Sequence, residues 1–191
     1  MFARDETKAL KIKGSITDGE LYQLMHGYNR VRSIELGITS NLTRGGIMAA
    51  LRLNDQLKSI YIDKNPLLLA EDLLSLGRTH LRLHTLSFIG TVPLSTEALA
   101  AFSNRLTHLR IVGPSIGIGI RWQDFHHLVH LSVTGPNNSL IGNTIPPNLR
   151  ALDVKNSGIF TGIDLPPSLE ALTVIGCSRF SLNLKSPVQI L

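Results

Sequence analysis

Cysteine occurs once in these 191 residues, at Cys177, so neither an internal disulfide nor a cysteine metal cluster is available to hold a fold together. That scarcity suits a reducing compartment, and a cytoplasmic setting is expected. Aromatic side chains are sparse as well. One Trp and three Tyr are too few to interleave with basic residues as platforms for single-stranded nucleic acid. The longest apolar stretches, such as Pro66 to Ala70 and Ser115 to Ile120, fall far short of the roughly 20 residues that a membrane helix needs. Residues Met1 to Lys13 lack the uninterrupted apolar core of a secretory signal, so export by the general route is not expected. Charge is moderate: 19 Lys and Arg against 14 Asp and Glu give +5, which permits acidic partners but is low for a nucleic-acid binder of this length. An apolar share of 43% against 17% charged excludes a disordered tail and is enough to bury a continuous core in one domain.

What the chain has in abundance is one recurring pattern: apolar, two variable, apolar, one variable, apolar. Four copies stand in the middle, Leu57-Ile60-Ile62, Leu83-Leu86-Phe88, Leu106-Leu109-Ile111 and Leu128-Leu131-Val133. Upstream lie Val31-Ile34-Leu36 and a degenerate Leu10-Ile12; downstream lie Leu149-Leu152-Val154 and Leu169-Leu172-Val174. The last two apolar residues of each copy alternate with variable ones, as a strand with one buried face requires, and the first covers the turn leading in. One unit cannot bury its apolar wedge alone, whereas stacked units make a parallel sheet over one long core.

The unit resembles the leucine-rich repeat, L-x-x-L-x-L-x-x-N/C-x-L. Leu57 to Leu67 matches every position, with Asn65 in the Asn slot, and Cys177 fills that slot in the last copy. The resemblance implies an α/β solenoid of about eight repeats, a curved parallel sheet on the concave side and short helices and extended segments on the convex side. Repeats start near residues 7, 31, 57, 83, 106, 128, 149 and 169, with a partial one over 178–191. In the family the slot side chain bonds turn amides, which otherwise lack partners. Thr39, Thr91, Pro114, Pro136 and Ser157 occupy it elsewhere, so the ladder is expected to be broken, with Gly and Pro holding the turns.

Behind the strands the longer repeats predict helices. Thr17 to Tyr28 opens with a Thr-x-x-Glu capping box at Thr17 and Glu20, Ser95 to Phe102 carries Ser95 and Glu97, and Ala70 to Leu76 looks similar. From Trp122 to Leu128 only about a turn of helix fits. In the last two repeats Pro146-Pro147 and Pro166-Pro167 replace the helix and predict extended backbone, so the back should thin and the curvature relax. Those copies, Ile145-Pro-Pro-Asn-Leu-Arg-Ala-Leu-Asp-Val and Leu165-Pro-Pro-Ser-Leu-Glu-Ala-Leu-Thr-Val, resemble the short "LPPSLEEL" repeats of bacterial effectors delivered into host cells. Similar Pro-containing units also occur in repeat proteins of amoebae and giant viruses, so the likeness points to a lineage of repeats and not to one function. A host-directed effector or a substrate-recognition subunit, acting in the cytoplasm of the producing cell or of a host, is one expectation it leaves open.

The concave face is built from the variable positions. Its central column should run Lys11, Glu35, Tyr61, Ser87, Arg110, Ser132, Asp153, Thr173; beside it run Ala9, Ser33, Ser59, Thr85, His108, His130, Ala151, Ala171. Tyr61, Ser87, His108, Arg110, His130, Ser132 and Asp153 are therefore the candidate binding surface for a protein partner, since Tyr and Arg anchor interfaces and small neighbours allow close approach. The competing view is a sparse, solvated sheet face. A second pattern precedes the strands: Arg30 and Arg32, Lys58, Arg82 with His84, Arg105, His127 and Arg150 predict a basic rim that attracts nucleic acid or anionic lipid. Its alternative is arginine covering apolar surface.

His108 and His130 pair without a third ligand beside them, Asp153 lying two strands off, so no metal site is expected. Gly113 to Gly119, GPSIGIG, lacks the Lys-Ser or Lys-Thr of a phosphate loop, and no Ser, His and Asp stand at a nucleophile's spacing. Neither catalysis nor a cofactor is expected, and Cys177 reads as a buried turn residue. Terminal repeats need polar caps; without them, a ninth strand around Leu182 to Leu184 or an end-to-end homodimer is expected.

Overall fold

Alternation of inward and outward side chains decides the architecture. The computed structural model describes residues 9–28, 30–65, 67–90, 94–113, 120–136, 139–141 and 145–183. Thr91, Pro114, the rest of the GPSIGIG segment and residues 184–191 lie outside that set, as does the beginning of the opening repeat.

In chain order the first elements are β1 (Ala9–Gly14), α1 (Asp18–Gly27), β2 (Ser33–Thr39), α2 (Arg44–Arg52), β3 (Ser59–Asp63), α3 (Ala70–Thr79), β4 (Thr85–Ile89) and α4 (Thr96–Ala100). Then follow β5 (His108–Val112), a 3-10 turn at Trp122–Asp124, β6 (His130–Thr134), β7 (Ser139–Ile141), β8 (Ala151–Lys155), β9 (Ile159–Asp164), β10 (Ala171–Ile175) and β11 (Arg179–Asn183). Eight of the strands, β1-β2-β3-β4-β5-β6-β8-β10, make an open, wholly parallel sheet, and no barrel closes.

The register is the one the repeat predicts. Ile34, Ile60, Leu86, Leu109, Leu131, Leu152 and Leu172 stand side by side in successive strands, each at most 1% exposed. Each such side chain stabilises the fold by about 1.5–3 kcal/mol relative to an exposed one. Neighbouring repeats are also tied by forked hydrogen bonds just before the strands. The Arg32 carbonyl accepts from Lys58 and Ser59 at 2.7 and 3.0 Å, and the carbonyls of Lys58, His84, Thr107, Val129 and Arg150 repeat the arrangement. After the strands, Lys64, Gly113, Gly135, Asn156 and Gly176 all have positive φ. At Gly113 (φ +95°) a Cβ would stand 2.4 Å from the Gly90 carbonyl oxygen, so only glycine fits.

Asn65 behaves as its slot requires: Nδ2 donates to the Gly37 carbonyl at 3.1 Å and Oδ1 accepts from the Leu67 amide at 3.0 Å. Thr39 in the same slot is buried with an unpartnered hydroxyl, which is the expected break in the ladder.

The backs depart from expectation in five places. α1 has its Thr17–Glu20 capping box, but α2 follows Thr43, whose hydroxyl accepts from the Gly46 amide, where no helix was expected. α3 runs on to Thr79, while α4 is five residues and then turns. Pro146-Pro147 and Pro166-Pro167 are not extended: the Leu149 and Leu169 amides bond back to the Pro146 and Pro166 carbonyls at 3.2 and 3.1 Å. Proline's fixed φ suits the second position of such a turn, and it is the turn that is selected. Finally, β7, β9 and β11 form a second, three-stranded parallel sheet in the order β11-β9-β7. β11 is therefore not a ninth member of the large sheet. It pairs with β9, where Phe180 stacks on the buried Phe160 at 5.6 Å between ring centroids.

Candidate functional site

Because side chains alternate along a strand, the face opposite the core is assembled from the variable positions of every repeat. Lys11, Glu35, Tyr61, Ser87, Arg110, Ser132, Asp153 and Thr173 follow one another across the sheet as the central column, with His108 beside His130 in the next. Tyr61, Ser87, His108, Arg110, His130, Ser132 and Asp153 all line one hollow of about 430 Å³. Ser87 and Ser132 form its buried floor, and Tyr61 and Arg110 are exposed.

The imidazoles of His108 and His130 lie 6.0 Å apart, and Nε2 of His130 donates to Oδ2 of Asp153 at 3.2 Å. Asp153 lies two strands from His108, as expected, but on the strand next to His130, since β6 pairs directly with β8. Among the described residues no group of three or more His, Cys, Asp or Glu side chains is arranged to hold a metal ion. The Thr107 hydroxyl donates to the His84 carbonyl at 3.2 Å and so accepts from Nδ1 of His108 at 3.0 Å. Partial desolvation, and then the neighbouring His130, hold the His108 pKa below the ordinary imidazole value.

Charge along the face is uneven. At the β1 end Glu35 sits between Lys11 at 2.8 Å and Lys13 at 3.3 Å, and Lys11 above all holds its carboxyl below the usual range. Asp153 is turned to His130. Among the described residues no hydrogen bond or ion pair reaches the Arg110 guanidinium. Thr134 and Lys155 also line the hollow; they lie in a third outward column that the sequence reading stopped short of, although the same alternation extended by two residues reaches it.

The basic rim divides. Arg32, Lys58 and His84 share one column, which continues through Thr107 and Val129 to Arg150, while Arg30, Arg82 and Arg105 belong to another with Gln56 and His127. Arg82 donates to Gln56 at 2.6 Å and Arg150 pairs with Glu170 at 3.6 Å. Arg105 is not a rim residue. Its guanidinium lies 5.5 Å from the centre of the Phe102 ring and donates to the Gly77 carbonyl, and burial lowers its pKa. The apolar turn after α4 draws it inward, as arginine covering apolar surface does. Cys177 is half-buried, with Sγ 4.0 Å from the Val154 carbonyl, in a turn.

No protein-family model and no curated protein matches this sequence. Among the described residues no helix is long and apolar enough to cross a membrane. A second depression, about 560 Å³, lies against α1 near Ile16, Leu24 and Tyr28. Its single charged lining group, Glu20, is held by Thr17, so the hollow on the sheet face has the richer chemistry.

Proposed function

We propose that this chain is a leucine-rich repeat solenoid that binds a protein partner on the outward face of its eight-stranded sheet. The solenoid reading rests on eight parallel strands in chain order, on the unshifted register from β2 to β10 and on the forked carbonyls that link each repeat to the next. The observation that carries the binding reading is the convergence of Tyr61, Arg110 and the two histidines on one hollow with a floor of small serines. An exposed aromatic and an exposed guanidinium above small residues make the combination that dominates binding energy at protein interfaces. The rim has less in its favour as a binding site for nucleic acid or anionic lipid, because Arg105 is packed inward and Arg150 faces Glu170.

The test is retention of a partner from extracts of the native host by the wild-type chain and by Tyr61→Ala/Arg110→Ala. Loss of the partner by at least tenfold, with an unchanged circular dichroism spectrum, is expected. Undiminished retention would refute the reading. Binding that collapses with salt and disappears on Arg32→Glu/Lys58→Glu would favour the rim.

A further inference from the structure

Arg110 occupies the middle of the hollow, and among the described residues no counter-charge pairs with it. In the central column its register neighbours are Ser87 and Ser132, both uncharged. Asp153 lies one strand beyond Ser132, roughly 9.6 Å from Arg110 at the usual strand spacing, and is already bonded to His130. On the other side Tyr61 follows Ser87, and Glu35 beyond it is held by two lysines. Lys155 adds a further positive charge to the lining. Among the described residues that line the hollow Asp153 is the one carboxylate, and it is turned to His130, while Arg110 and Lys155 are both positive.

We propose that Arg110 anchors an extended acidic peptide segment of the partner, receiving a Glu or Asp carboxylate on its guanidinium while Tyr61 packs against the backbone or a side chain of the same segment. This rests on the reading that the sheet face binds protein, and gives that partner its chemistry. The geometry favours a carboxylate in an extended strand. From Tyr61 to Asp153 the column crosses four strand intervals, about 19 Å, which is the length of roughly six extended residues. A planar guanidinium matches a carboxylate through two parallel hydrogen bonds, and its exposed setting leaves both free to form. The buried serines beneath keep the floor low enough for a side chain to enter.

The experiment titrates the ¹⁵N-labelled full chain with two eight-residue peptides, (Ser-Glu)₄ and (Ser-Gln)₄, following the Arg110 Nε–Hε resonance. The Glu peptide is expected to shift that resonance and to bind at least tenfold more tightly than the Gln peptide. Arg110→Gln should remove the preference, and Arg110→Lys should keep only part of it. Equal binding of the two peptides, or an unmoved Arg110 resonance, overturns the proposal. Stronger displacement by inorganic phosphate than by the Glu peptide, or binding to phosphatidylserine vesicles that depends on Arg110, also overturns it in favour of a phosphate-bearing ligand. The two readings fail differently. If the peptides are not discriminated but partner retention still falls with Tyr61→Ala, the acidic anchor is wrong and the protein-binding face stands; if retention ignores Tyr61→Ala as well, the face itself is wrong.

Discussion

The two halves of the molecule build the same sheet on different backs. From β1 to β5 each connection carries a helix, whereas from β6 onward the connections carry the strands of the second sheet. The lengths explain the exchange. Leu57 and Leu83 are 26 residues apart, Leu149 and Leu169 only 20. A helix rises 1.5 Å per residue and a strand about 3.3 Å, so a strand of six residues spans about as far as a helix of thirteen. A short repeat can therefore close its loop only with extended backbone. The difference teaches that the inward trio defines the repeat and that its back is interchangeable.

The comparison breaks most sharply at Phe160. It is fully buried and stacked on Phe180, so Phe160→Ala should destabilise the sheet-backed half by about 3–5 kcal/mol. Hydrogen exchange should show protection lost in β8 to β11 and retained in β2 to β4; uniform loss would mean that the halves are not energetically separable. In the helix-backed half the corresponding weak point is Gly77, where an added Cβ would stand 2.6 Å from the Ala101 Cβ and force α3 from α4. Overpacking should outweigh the better helix propensity of alanine, and Gly77→Ala should lower stability by roughly 1–2 kcal/mol in denaturant melts. An unchanged midpoint would show that these helices slide freely.

The smallest effect is expected at the seam between the halves, on β5. The His108 pKa is lower folded than unfolded, so the unfolded chain binds the extra proton first. Stability should be complete above the ordinary imidazole value near 6.5 and should decline as pH falls through the depressed folded value. His108→Gln should flatten that limb of the melting-temperature profile between pH 7 and 5. The exposed ring keeps the slope shallow, and a wild-type profile that rises on acidification would contradict the assignment.

Most of the strand face was legible because its rule is local. Tyr61, Arg110 and Asp153 fall into one column once Ile60, Leu109 and Leu152 are recognised as inward, and no long-range fact is needed. The backs were less legible. α2 begins Arg44-Gly45-Gly46, a poor helical opening by propensity, and is held instead from outside: Thr43 caps it, Asp18 of α1 bonds Thr43, and Arg44 pairs with Asp72 of α3. The second sheet has a weak sequence signal because β7, β9 and β11 are short and lie among glycines. Their signal was a spacing of 20 residues between Ser139, Ile159 and Arg179.

By itself the sequence determined the seven inward trios and the degenerate opening pair, their register and hence which side chains share the outward face, since a period of two residues leaves a strand no other way to bury its apolar members. Only the tertiary structure decided what covers the back, which arginines stay outside and how charges on the face are paired. Those choices depend on groups brought together from different repeats, as Arg105 is with Gly77 and His130 with Asp153, and no local pattern encodes them.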